Sequence, residues 1–507
     1  MKKIGLFWLA IVLAGWSHPQ RSAAAATCDP WVAKMVSVQG YVEARRVDQA
    51  EWRPVRLNDT YCAGDRIQVG ENSRADVVLA NQPLLRLDQN STITLGGVKE
   101  QRISVIELIK GAIYFFSRLP RNLEVRTAFV NAGVEGTEGV IAVEPERAWI
   151  LIIEGKVLAS NQDGNLILTS GQSAVATQNR PPVSMTVARP RDAVQWALYY
   201  PPALYVRPEE FQLRSDWQAL VRNSIEAYLK NDLQAAFESL KGVPDSVGEP
   251  RFFTYRASLL LAVGRIDEAG KDIARALSLN PGFSDALALQ SVIAVAQNEK
   301  AKALDAAKRA ITADPNSSSA LIALSYAQQA NFDLEGALQS LQRAVQVGPD
   351  NALAWARLAE LHMSFAELAE ALQAAQKATA LNPNLSRTQT VLGFAFLTRV
   401  DTAEAKNAFE LAIELDQADP LARLGLGLAK IREGDLHEGR SEIEIAASLD
   451  PENSLIRSYL GKAYFEEKRN QQSSTQYELA KNFDPNDPTP YFYDAIRKQT
   501  TNRPVEA

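Results

Sequence analysis

The chain has 507 residues, room for roughly three or four average domains or for one domain and a repeat array. It is 46% hydrophobic and 22% charged, a balance that can bury a core and that excludes a low-complexity or disordered chain. The formal net charge of -6 excludes a general nucleic-acid binder, which needs clustered Lys and Arg to neutralise phosphates.

Residues 1–26 have the pattern of a secretory signal. Lys2 and Lys3 precede an apolar run, Ile4 to Trp16, that is too short for a bilayer, which takes about 20 residues. Ser22 to Ala26 offers small residues for cleavage after Ala26; an uncleaved anchor is the alternative. No later segment is long and apolar enough to cross a membrane, so export to a periplasm or cell envelope is expected. Cys28 and Cys62 are the two cysteines. In an oxidising compartment such a pair is expected to form a disulfide. Two free thiols are one alternative; a lipid on Cys28 is another, and Ala25-Ala26-Thr27 fits the lipidation pattern poorly.

From Trp31 to about Thr177 the hydrophobic period is near two. Short runs such as "VSVQGYVEA", "RADVVLA", "AWILIIEGKVLAS" and "NLILTS" read as strands, and Asp163-Gly164 reads as a hairpin turn. An all-β sandwich or roll is predicted for 27–180. The segment resembles the FecR family of periplasmic sensor domains, through "VSVQGYVE" at 36–43, "GDRIQVGENSRADVVL" at 64–79, "LRLDQNSTITL" at 85–95, "LIKGAIYF" at 108–115, "VRTAFVNAGVEGTEGVIAV" at 125–143 and "IIEGKV" at 152–157. The regulators of that family carry an anti-sigma segment and a membrane helix ahead of this domain. Here a cleavable signal stands in their place, so the resemblance implies a periplasmic recognition or assembly domain and does not carry over anti-sigma activity. Gly133, Gly136 and Gly139 are spaced G-x-x-G-x-x-G, which is not the dinucleotide pattern; a turn between strands is expected there.

Residues 181–216 form a join broken by prolines. "RDAVQWALYYPPALY" reads as a short amphipathic helix with a proline stop, and Trp196, Tyr199 and Tyr200 are expected to pack the two halves together or, alternatively, to form a ligand platform.

The second half repeats. Asn280-Pro281, Asp314-Pro315, Gly348-Pro349, Asn382-Pro383, Asp450-Pro451 and Asp484-Pro485 lie on a 34-residue grid, with Gln417 filling the one gap. Ala276, Ala310, Ala344, Ala378, Ala412, Ala446 and Ala480 form one column of small residues. Ala269, Ala303, Ala337, Ala371, Ala405, Gly439 and Ser473 form another. Small side chains at fixed spacing let paired helices cross closely, and the proline ends the second helix. A period of 34 resembles the tetratricopeptide repeat. Seven repeats are predicted over 250–487, after a degenerate helical repeat at 217–249, so the chain is multidomain: an all-β domain, then an all-α superhelix. An incomplete eighth repeat or a cap helix follows at 488–507, and the way "NRPVEA" stops mid-repeat leads us to expect that the natural protein continues.

The tetratricopeptide resemblance implies a concave groove lined by the first helices. Its positions fall on Tyr326, Phe394, Leu397, Leu428 and Phe465, with Ala288, Val292, Ile322 and Leu424, and with charged members Glu360, Arg387, Arg432, Lys462 and Glu466. The Lys/Asn clamp some relatives use for terminal carboxylates is not visible. An apolar, aromatic groove suits an amphipathic helix or an extended apolar segment; packing among neighbouring helices is the alternative for the same residues. No catalytic motif, metal-ligand spacing or cofactor fingerprint occurs, and His362 and His437 lie 75 positions apart in different repeats. The expectation is an exported, non-catalytic adaptor whose partner is a protein, with an outer-membrane protein or cell-envelope polymer as a further candidate. The alternatives are the periplasmic part of a polysaccharide or protein export assembly and a FecR-like sensor.

Overall fold

A computed structural model describes residues 28–99, 103–118, 120–186, 190–212, 215–244 and 246–501. The expected signal segment and the trailing "NRPVEA" lie outside these residues.

Residues 33–185 form one continuous 15-stranded sheet. Its centre is a set of long antiparallel strands, Ile103–Phe116, Asn131–Val143 and Arg147–Asn161. Alternating side chains from these strands, among them Ile113, Phe115, Ile141, Ile150 and Ile152, meet those of Met35, Val77 and Leu85 in one apolar core. A single sheet wrapped on one core is the roll of the two expected forms. Cys28 and Cys62 are disulfide-bonded, with Cα atoms 5.6 Å apart. The Asp163-Gly164 hairpin is present: Asn161 pairs with Gly164, and the Asn161 carboxamide oxygen accepts from both turn N–H groups. The three glycines at 133–139 do not make a turn. They sit inside one strand, where the register slips between Glu135 and Glu138 and Gly136 takes φ +63°. A bulge, which doubles one residue against its partner strand, satisfies the same glycine pattern without reversing the chain.

Seventeen α-helices follow among the described residues. The leading pair is α1 (Asp216–Tyr228) and α2 (Leu233–Leu240). Seven hairpins come next. The first four are α3 (Pro250–Ala262) with α4 (Ile266–Leu279), α5 (Ser284–Ala296) with α6 (Lys300–Ala313), α7 (Ser318–Ala330) with α8 (Leu334–Val347), and α9 (Ala352–Ser364) with α10 (Leu368–Leu381). The last three are α11 (Ser386–Thr398) with α12 (Thr402–Leu415), α13 (Pro420–Arg432) with α14 (Leu436–Leu449), and α15 (Ser454–Glu466) with α16 (Asn470–Phe483). Helix α17 (Pro488–Thr500) ends the described chain. All seven alanines of the first small column are 0% exposed, because each sits where helices cross. Between the two helices of every hairpin one residue takes a left-handed conformation, again every 34 positions: Gly264, Asn298, Phe332, Ala366, Val400, Gly434 and Lys468.

The two halves are joined by more than the chain. Helix α14 buries nine residues where α6 buries four, because the outer face of the sheet lies on it. Val36, Leu84, Tyr114, Phe116 and Val140 of the sheet share one apolar cluster with Ile443, Ile445, Ala447 and Leu449, and Trp196 of the join packs into it. The join itself begins with a 3₁₀ turn, Pro190–Ala197, rather than an α-helix.

Candidate functional site

The superhelix closes on itself. The Asn298 side chain donates to the Phe483 carbonyl at 2.6 Å, and Lys300 pairs with Asp484 at 2.9 Å, so the start of α6 touches the end of α16. The concave space is an open cavity of ≈ 1120 Å³ walled by the first helices of successive hairpins. Tyr326 on α7, Phe394 and Leu397 on α11, and Leu428 on α13 line it together with Leu424, as do Glu360, Arg387, Arg432 and Lys462. Phe465 is not in the wall, although it holds the register in α15 that Ile431 holds in α13; the α15 wall is formed by Ser454, Leu455, Tyr459 and Lys462. Glu466 is likewise outside it. Ala288, Val292 and Ile322 are buried elsewhere on the same face, in a cluster that includes Ala203 of the join.

Sequence reasoning missed Arg357, Met363 and Ile431 of the wall. A signal was available: Val295, Gln329, Met363, Leu397 and Ile431 are one 34-residue column, and all five line the cavity.

One polar knot interrupts the apolar wall. Glu360 pairs with Arg357 and with Arg387, each at 2.7 Å, and the Arg357 guanidinium lies 3.9 Å over the Tyr326 ring. Burial opposes the charge of Arg387, but Glu360 together with Tyr326, Asp419 and Tyr199 outweighs it and holds the arginine above its usual pKa. Arg432 donates to the Leu397 carbonyl at 2.6 Å, a second donor for a carbonyl at the end of α11 that already accepts from the Val400 N–H at 3.2 Å. Such a wall offers apolar surface with a few fixed polar points. His362 binds Glu367, His437 is exposed, and among the described residues no cluster of His, Cys, Asp or Glu is arranged to hold a metal. Among the same residues no helix is long and apolar enough to cross a membrane.

The β domain meets the array through buried arginines aimed at helix ends. Arg86 donates to the Ala197 carbonyl at 2.7 Å and to the Leu449 carbonyl that ends α14. Arg74 donates to Trp196 at 2.7 Å and to Ala262, the last residue of α3, at 2.9 Å. Helix C-termini present unpaired carbonyls and partial negative charge, so a cation suits each of them. Burial, and then Arg86, lower the Arg74 pKa to about 9, which leaves it charged at neutral pH. Arg423 of α13 donates to Val36 at 2.7 Å, and the Gln417 side chain accepts from the Val38 N–H at 2.9 Å. Deepest is Glu138, which pairs with Arg457 of α15 and with Arg118, each at 2.5 Å, and accepts from the Tyr114 hydroxyl.

These features define a class: a helical-repeat interaction scaffold to which a β domain is fixed. Residues 65–158 match the FecR protein family, and residues 256–318, 328–393 and 424–488 match tetratricopeptide repeat families. The chain therefore carries a FecR domain fused to a tetratricopeptide array, two domain types that are typically non-catalytic and serve protein interaction. No curated protein sequence matches it. Among solved structures, the hetero-tetramer Cut9–Hcn1 of the APC/C aligns at 14% identity and a TM-score of 0.45, over 56% of this chain and 57% of that one. Pseudomonas aeruginosa pilF aligns at 19% identity and 0.31, over 43% of this chain and 98% of that one. A Parabacteroides distasonis protein assigned as an anti-sigma factor aligns at 17% and 0.24, over 27% and 67%.

Proposed function

We propose that this protein is an exported, non-catalytic adaptor of the bacterial envelope. The concave cavity holds a helix or extended segment of a protein partner, and the β domain recognises a second envelope component. The observation that carries this reading is the cavity itself: apolar and aromatic side chains from α7, α11 and α13 converge on a space large enough for several side chains, with charged groups already paired in its wall. Tyr326, Phe394, Leu397 and Leu428 are the residues we assign to partner contact; Phe465 lies outside the cavity and is left out of that set.

The test is site-specific photocrosslinking in the producing cell. A crosslinking residue at Phe394 or Leu428 should give one protein adduct that the same residue at Lys308, exposed on α6, does not give. No adduct, or the same adducts from Lys308, refutes the reading. Recovery of the chain in the envelope fraction with Thr27 as its first residue would support export, and recovery only in the cytoplasm would refute it. An adduct with an outer-membrane pore would favour the export-assembly alternative.

A further inference from the structure

The concave face is not free along its whole length. After the 3₁₀ turn, residues 201–206, which form no helix or strand, run across the first helices. Ala203 is 1% exposed and shares one apolar cluster with Ala288, Val292 and Ile322, and Tyr205 packs on that cluster. These are three of the positions the repeat pattern assigns to the groove. Pro201 and Tyr199 form part of the cavity wall, so the buried segment and the open cavity are continuous. Arg207 closes the segment with an ion pair to Asp350 at 2.5 Å.

How this segment is held matters. Among the described residues, 201–206 make no backbone–backbone hydrogen bond to the array. Two of these six residues are prolines, which have no N–H to satisfy and favour the extended form before binding. The polar ties are few: an Asn382 side-chain N–H to the Tyr205 hydroxyl at 3.5 Å, and the exposed Arg207–Asp350 pair. A segment fixed mainly by side-chain burial, on a face shaped for side chains, is held as a peptide ligand is held.

We infer that residues 201–207 are a ligand of the array held in cis, and that the face of α5, α7 and α9 accepts an extended, proline-led apolar segment ending in a cation. A partner segment of that chemistry entering from the cavity displaces it. The inference rests on the reading of the groove as a partner site and adds the chemistry of the partner. It also ties the groove to the β domain, because the carbonyls of Trp196 and Ala197, just upstream, are the ones that Arg74 and Arg86 grip.

The experiment uses the full chain and a labelled synthetic peptide of Tyr199–Pro208. A tethered segment competes at an effective concentration of about 1 mM, so the wild-type protein should show little binding of the peptide below that concentration. Ala203→Asp places a charge in the apolar cluster and should free the face, raising peptide affinity at least about tenfold over wild type. A peptide with the same Ala203→Asp change should bind neither protein. Arg207→Glu, which sets a carboxylate against Asp350 on the exposed surface, carries little risk to folding and should give a smaller gain in the same direction. If both variants stay folded by circular dichroism and bind the peptide no better than wild type, the cis-ligand inference is overturned. If Ala203→Asp fails to fold, the Arg207→Glu result decides alone. No partner takes part in this measurement, so its failure leaves the crosslinking test of the proposed function standing.

Discussion

Glu138 offers the sharpest perturbation of the docked arrangement. Its carboxylate is 0% exposed and meets Arg457 from the array and Arg118 from its own domain. Burial pushes its pKa up, but the two arginines outweigh burial and hold it below the usual glutamate value. Glu138→Gln removes the only carboxylate paired with Arg457 among the described residues, while Arg118 keeps Glu154. One buried cation is left without a counter-charge, which costs about 3–5 kcal/mol. Arg457→Gln should cost less, about 2–4 kcal/mol, because Glu138 keeps Arg118. The double variant should fall short of the sum by roughly 1.5–3 kcal/mol, the signature of a direct contact. Urea unfolding of the four proteins at pH 7 measures the cycle. Losses that add within about 0.5 kcal/mol would refute a direct pair across the two domains. The pH dependence has a defined sign. A carboxylate with a depressed folded pKa contributes stability that is present above its unfolded value, about 4.3, and is lost as pH falls through the folded value. Wild type should therefore lose this contribution on acidification below about pH 4, and Glu138→Gln should lack that part of the decline.

Other positions give independent checks. Val400 is 63% exposed at φ +69°, so Val400→Gly should raise stability by about 0.5–1 kcal/mol, with left-handed strain relieved and part of the gain lost to chain entropy; a lower melting temperature would count against it. A Cβ on Gly427 would lie 2.6 Å from the Gly439 carbonyl, so Gly427→Ala should cost about 1–3 kcal/mol, whereas Gly270→Ala, with open space around it, should gain about 0.5–1 kcal/mol. Equal effects of these two substitutions in thermal melts would contradict the close crossing of α13 and α14. Labelling of the oxidised protein with a thiol reagent should find no free cysteine, and loss of the Cys28–Cys62 link, 34 residues apart, should cost about 3–4 kcal/mol in denaturant unfolding. Asp416 has its pKa raised to about 6 by burial and then by Asp419. Its charge opposes folding above that pH, so Asp416→Asn should stabilise on the order of 1–3 kcal/mol at pH 8 and be neutral below about pH 4; a pH-independent difference would exclude this cause.

The helical hairpins were legible because their crossings admit only small side chains, which leaves a column as plain as Ala276 to Ala480. The strands were legible because most turn alternate apolar residues into one core with a period of two, although Arg74–Leu79 and Leu84–Leu87 are buried on both faces. The left-handed column was not. Gly and Asn occupy three of its seven places, and Phe332, Ala366, Val400 and Lys468 hold the same conformation by the force of the surrounding hairpin. The 133–139 stretch misled because glycines serve a bulge as well as a turn. The repeat register led to cavity-lining positions from Tyr326 to Lys462 but also to Ala288, Val292 and Ile322, which the join covers, and to Phe465 and Glu466, which lie outside the wall; where the cavity is bounded depends on α6 meeting α16, a contact between residues 184 positions apart. The aromatics of the join announced that the two halves pack together, and Trp196 does lie between them, but which surfaces meet was not readable. That depends on Arg74, Arg86, Arg423 and Arg457, and charged residues in a strand or helix read as solvent-facing until the partner surface is known.

The contact of Arg86 with Leu449 spans 363 positions of sequence. A ribosome adds about 5–20 residues per second, so roughly 20–70 s separate the emergence of the arginine from that of the helix end it grips. During that interval the sheet can complete its own core, but the face made of Val36, Leu84, Tyr114 and Phe116 has nothing to lie on. The nascent β domain is then a folded body with a sticky flank. Its survival depends on what shields that flank until α14 arrives.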